Sequence, residues 1–151
     1  MAIDSAAIDT ALFQLLSADP TLAALMPNGV HFDNAPPNST RYVLVGVTYA
    51  RDERQFQQRS FEAVTYLVKA VALTTVANAN SQARQAAARI DTLLDPQPPD
   101  PPLVLAIPGY QLVAAYREDT IARIRHTEVD DVDPTVRFYH RGGHYTVVVS
   151  T

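Results

Sequence analysis

Apolar residues recur at helical spacing along residues 5–17. Ile8, Leu12, Leu15 and Leu16 fall at i, i+4, i+7 and i+8, with Asp4 or Ser5 placed to cap. The stretch predicts an amphipathic helix. Asp19-Pro20 ends it, because the residue before a proline is pushed out of the helical region, and residues 21–26 have room for one more turn before Pro27-Asn28-Gly29. The period then changes. Residues 30–33 read as a short strand, and residues 34–40 as a loop with Pro36-Pro37 held extended. Residues 42–50 (YVLVGVTYA) form a strong strand, rich in β-branched and aromatic side chains. Residues 60–73 form another, with Val64, Tyr66, Val68, Ala70 and Ala72 on one face and Phe61, Thr65, Leu67, Lys69 and Val71 on the other. Two partly apolar faces predict a central strand. Residues 51–59 between them read as the polar tip of a hairpin, longer than a turn needs.

Helical spacing returns over residues 76–94, at Val76, Ala79, Ala83, Ala86/Ala87, Ile90 and Leu93/Leu94. The small alanine face allows close approach to a sheet. Residues 95–102 (DPQPPDPP) cannot form helix or strand. Residues 103–107 read as a short apolar strand, Pro108-Gly109 as a turn, and residues 110–116 and 121–127 as one long strand or two. Residues 128–134 form an acidic turn. Residues 136–149 return as a strand interrupted at Gly142-Gly143, where a hairpin turn and a bulge are both open. The expected fold is one α+β domain over residues 1–151: a mainly antiparallel twisted sheet with two helices packed on one face and an extended hairpin arm.

Composition narrows the function classes. The chain of 151 residues is 47% hydrophobic and 19% charged, below the usual ~25% charged. Either partners cover part of the surface or the chain is simply alanine-rich. A net charge of −4 and a pI near 5.4 argue against broad binding to nucleic acid or anionic membrane. Of the 12 basic residues only Lys69 is lysine, and the arginine fork suits bidentate pairing across interfaces. There is no cysteine, hence no disulfide framework or thiolate site. The first residues lack the basic region of a signal peptide, and no apolar run approaches the ~20 residues of a membrane helix.

No chemistry assembles from these residues. His126, His140 and His144 lie near Asp130, Asp131 and Asp133, but they lie on strands whose alternation is expected to separate them, and a two-residue turn at Gly142-Gly143 would send His140 and His144 to opposite faces. Glu118 and Asp119 are adjacent and would face opposite ways on a strand. The aspartates of the acidic turn lack the spacing and glycine of a calcium loop. The expectation is no catalytic site, no metal and no cofactor. Charge is placed instead where partners would meet it. Arg51, Asp52, Glu53 and Arg54 surround Phe56 on the hairpin tip, as in an arm that docks on another subunit through an apolar anchor. Arg117, Arg123, Arg125, Arg137 and Arg141 cluster on the C-terminal strands beside the acidic turn, suited to ion pairs between subunits.

Three stretches carry a family resemblance. The N-terminal helix leads through L-x-x-D-P-x-L-x-x-L (from Leu16) to a loop ending P-P-x-x-x-x-Y-V-L-V (from Pro36). A strand-then-helix unit follows, VTYLVKAVALTTVANANSQARQAAARIDTLL. The third is the C-terminal FYHRGGHYTVVV. Over nearly its whole length the chain resembles the tail-terminator, or tail-completion, proteins of long-tailed phages. DPQPPDPP looks like a departure, a variable loop. The resemblance implies a virion protein of the tail and neck, made in the bacterial host cytoplasm, with no role at a membrane. It implies a homohexameric ring on the last ring of tail tube protein, which stops tube polymerisation and docks the head-completion or stopper protein of the neck. DNA only passes through the lumen, and no cofactor is needed. A head-side neck adaptor or stopper is the alternative, and a small-ligand-binding or enzymatic α+β domain a further one.

Overall fold

Two long strands carry the architecture. In the computed structural model, residues 5–55, 58–130 and 132–150 are described, with the side chains of residue 5 and of residues 52–60 outside that description. The elements are α1 (Ser5–Ser17), α2 (Pro20–Leu25), β1 (Val30–Phe32), β2 (Arg41–Gln55), β3 (Gln58–Leu73), α3 (Ala79–Leu94), β4 (Gln111–Arg117), β5 (Ile124–Val129) and β6 (Arg137–Ser150). They form an α+β fold on one open six-stranded sheet, ordered β1-β2-β3-β6-β4, with β5 also paired to β6. Only β1 is parallel to its neighbour; the β2–β3, β3–β6, β4–β6 and β5–β6 pairs are antiparallel.

The helix patterns fold as their spacing requires. Ile8, Ala11, Leu12 and Leu16 of α1 are buried, and burying each large aliphatic side chain contributes ~1.5–3 kcal/mol. Asp19 caps α2 by accepting from the Leu22 N–H at 2.9 Å, with Pro20 in the first turn where its missing N–H costs nothing. Arg89 of α3 grips the same carboxylate at 2.6 and 3.0 Å, tying α2 to α3. Ala79, Ala83, Ala86, Ile90 and Leu94 form the buried face of α3. The sheet meets the helices with Val43, Val45, Val64, Tyr66, Val68, Ala70, Tyr145, Val147 and Val149 in the same core. The Tyr66 hydroxyl donates to Asp9 of α1 at 2.5 Å.

Several elements differ from the sequence reading. A third helix, α2, occupies the segment expected to hold one turn. The strands of the hairpin continue through most of the segment expected to be its polar tip: β2 runs to Gln55 and β3 starts at Gln58, with Arg51 paired to Ala63 and Asp52 to Glu62. A charged run is compatible with a strand whose outer edge faces solvent. Residues 103–107 contribute an isolated bridge between Ile107 and Tyr110 rather than a strand. The segment 110–127 resolves into two strands, β4 and β5, which lie end to end along the same edge of β6.

Gly142-Gly143 is neither turn nor bulge. β6 runs through it, pairing Gly142 with Lys69 and Gly143 with Val68. The reason is a close approach of backbones: a Cβ on Gly142 would lie 2.2 Å from the Val68 carbonyl oxygen and 2.6 Å from Lys69 Cα. Glycine is what lets β6 lie against β3 there.

Candidate functional site

The alternation of β5 and β6 sends the C-terminal charges to two faces. On the helix side, Arg84, Arg117, Arg123, Arg125 and Arg141 line a cavity of about 650 Å³ between α3 and the β4–β5 edge. Arg117 sits at the end of β4, and one guanidinium nitrogen donates to both Asp91 oxygens at 2.9 and 3.0 Å while Nε reaches Asp119 at 3.1 Å. Asp91 also accepts from the Tyr145 hydroxyl at 3.0 Å. That carboxylate joins α3 to β4 and β6, and its hydrogen bonds hold the Arg117 pKa above its ordinary value. Burial raises the pKa of the Tyr145 phenol, and the charge of Asp91 raises it further.

Arg141 spends its guanidinium on neutral acceptors. It donates to the carbonyls of His126 and His140, each at 2.8 Å, and to Asn80 Oδ1 at 3.0 Å. Arg125 stands directly opposite it across the β5–β6 ladder, and like charges so placed are destabilising. Burial lowers the Arg141 pKa, and the charges of Arg84 and Arg125 lower it further. Asp91, the carboxylate lining the cavity, is occupied by Arg117. The arrangement is a positively charged recess in a chain of net charge −4.

The structure thus brings Arg117, Arg123, Arg125 and Arg141 together and adds Arg84 of α3, which the sequence reading missed. Its signal was present: Arg84 and Asn80 share one face of α3, one turn apart. Arg137 is elsewhere, at the far end of β5 opposite Val129 and next to the acidic turn. That turn orders itself: Asp130 Oδ1 accepts from the N–H groups of Val132 and Asp133, and Asp133 accepts from the N–H and hydroxyl of Thr135. The two Thr135 hydrogen bonds lower the Asp133 pKa. On the hairpin arm Arg51 is exposed. Asp52, Glu53 and Arg54 lie on the β2 backbone, with side chains outside the described residues, and Phe56 is wholly outside them.

The opposite face corrects a second expectation. His126 and His140 are not separated by strand alternation. They are direct cross-strand partners, stacked with ring centroids 5.0 Å apart and planes 11° apart. His140 and His144, expected on opposite faces, share one because β6 is continuous between them; His144 lies two repeats further along, paired with Leu67.

With that geometry described, comparisons with known proteins give three results. The model of a family described as tail completion protein gp17 matches residues 10–145. No curated protein sequence matches. Among solved structures, a chain from the virion of a native gene transfer agent particle matches with a TM-score of 0.62 at 20% identity, over 97% of each chain. A second, bearing no functional name, matches with a TM-score of 0.55 at 20% identity, over 97% of this chain and 96% of the other. At that identity the two structures establish a shared fold.

Proposed function

This chain belongs to the tail completion protein gp17 family, and we propose that it closes into a homohexameric ring at the head-proximal end of the tail tube. It is a structural protein of the tail. In the proposed role the ring ends tube polymerisation and presents the docking face for the head-completion or stopper protein of the neck, while DNA passes through its lumen. The likeness to a chain of a gene transfer agent virion supports a role inside an assembled particle.

The observation that carries the reading is the arginine recess. Arg125 opposes Arg141, Arg84 adds to them, and the nearby carboxylate is taken. An isolated subunit bears that repulsion; a partner carboxylate relieves it. The acidic turn after β5 supplies such carboxylates, but β5 of the same chain separates turn from recess by roughly 15–20 Å. A patch and its complement at different places on one subunit make head-to-tail contacts, which close into a ring when the rotation permits. Arg51, Asp52, Glu53, Arg54 and Phe56 on the arm are proposed as a second contact, to a neighbouring subunit or to the tube protein.

The test is native mass spectrometry and negative-stain microscopy of the purified chain and of an Arg123→Glu/Arg125→Glu variant. The expected result is hexameric rings for the parent chain and loss of rings, with an unchanged circular dichroism spectrum, for the variant. Rings that survive the double charge reversal remove the recess from the interface.

A further inference from the structure

On the sheet face away from the helices, β5 and β6 gather groups that neither the ring nor the tube contact uses. His126 and Glu128 are two apart on β5 and therefore project from the same face. His140 is the cross-strand partner of His126. His126 Nε2 lies 2.8 Å from one Glu128 oxygen, and His140 Nε2 lies 3.2 Å from the other. One potential ligand atom from each of the three residues falls within 4.8 Å of the other two. A pair at i and i+2 with a cross-strand third member is the sheet's way of aiming three donors at one point, because the pleat fixes their direction.

His140 is buried, and its imidazole in the neutral form is a metal ligand. Its Nδ1 is buried with no hydrogen-bond partner, while its Nε2 faces the Glu128 carboxylate; a cation bound at Nε2 takes the place of the proton held there, which moves to Nδ1. Nearby groups set the charge of the site. Glu128 is the anion within it; burial raises the pKa of Tyr42 across the face, and the charges of Asp130 and Glu128 raise it further. Lys69 of β3 is half-buried with a lowered pKa, and Arg141 points to the other side of the sheet.

We infer that His126, Glu128 and His140 form a binding site for one divalent cation of the zinc class, which clips the edge strand β5 to β6. Two imidazoles and one carboxylate are the donor set of a borderline metal with an open fourth position, not of magnesium or calcium, which take oxygen ligands. The clip has a use. Apart from the half-buried Ile124, the side chains of β5 are exposed, and among the described residues the strand is paired to β6 alone. A metal bound only by the folded arrangement would hold it in place. The inference does not depend on ring formation.

The experiment uses the chain without an affinity tag, stripped with a chelator, dialysed, and titrated with zinc chloride at neutral pH by calorimetry and thermal melting. Expected are one zinc per chain at micromolar affinity or tighter, a raised melting temperature, and no competition from magnesium. His126→Ala and Glu128→Gln change exposed side chains, so the fold persists, as circular dichroism will check. Each is expected to weaken zinc by at least ~10-fold, the scale on which even supporting groups of a metal site act. Absence of saturable binding overturns the inference. So does stoichiometric binding that is unchanged in both variants, which puts the metal elsewhere, and so does displacement by equimolar magnesium.

Discussion

Gly142→Ala is expected to cost far more than the same change one residue on. The added Cβ meets the Val68 carbonyl oxygen at 2.2 Å and Lys69 Cα at 2.6 Å. Ordinary contact requires the two strands to part by about 1 Å. The obstructing atoms are backbone of a strand paired on both sides, so no side-chain rotation relieves them. Overpacking of a core costs about 1–3 kcal/mol, and a rigid obstruction belongs at the upper end of that range. Alanine recovers ~0.5–1 kcal/mol in chain entropy, leaving a net loss of about 2–2.5 kcal/mol. For a domain of this size that lowers the melting midpoint by about 5–10 °C. At Gly143 the same Cβ finds its nearest neighbours at 3.6–3.8 Å, all side-chain atoms of Tyr145 and Arg117. Gly143→Ala is therefore expected to be neutral or slightly stabilising. Urea unfolding of both variants, read by far-ultraviolet dichroism, decides it. A Gly142→Ala loss under about 0.5 kcal/mol, or equal losses at the two positions, refutes the close approach of β3 and β6.

Three further outcomes are expected. Asp19→Ala removes the α2 cap and the Arg89 pair, costing about 2 kcal/mol once the partial exposure of Arg89 is allowed for; equality with the parent in urea at pH 7 refutes it. Hydrogen bonds from Arg89, opposed by burial and aided by the Leu22 N–H and the Arg89 charge, hold the Asp19 pKa below 3.8. That stability is present above the unfolded value and drains as pH falls through the folded one, so the two proteins should converge as pH falls below the folded value. Asp91→Ala leaves Arg117 and the Tyr145 hydroxyl without their acceptor and should cost about 1–3 kcal/mol, with Tyr145→Phe costing about 1 kcal/mol; Asp91→Ala melting like the parent counts against the shared carboxylate. Deleting residues 52–58 should leave the chain folded but weaken ring formation or tail joining, measured by sedimentation and by in vitro assembly, and undiminished assembly excludes the arm as a contact.

What could be read from the sequence followed the range of the interactions. The α1 and α3 stripes and the two-faced β3 are local patterns, and each was legible. The separation of the histidines was also argued locally, from spacing, and there the argument fell short. His126 and His140 meet because β5 and β6 pair in one register, which spacing along the chain does not encode. Gly142-Gly143 resembles a turn signal because glycine serves both a reversal and a close backbone contact, and only the neighbouring strand distinguishes the two. RDERQ resembles a loop because its charges hide a strand whose outer edge has no partner along most of its length. The arginines of β4 to β6 were visible as a group; Arg84, from a helix forty residues earlier, joins them only through the packing of α3 against β6.

Two strands that leave an edge open, β2 and β4, share one irregularity. β2 slips register between Val47 and Tyr49, and β4 slips between Leu112 and Ala114. Among the described residues, β2 has no strand on its outer side beyond its three pairs with β1, and neither has β4. An unpaired edge is a template onto which another copy can add, and copies added at two such edges grow without limit. A displaced residue interrupts the even ladder that such growth requires and bends the strand away from it. The chain therefore carries its own guard against fibre formation. Straightening either slip by deleting Thr48 or Val113 is a direct route to finding out how much solubility depends on it.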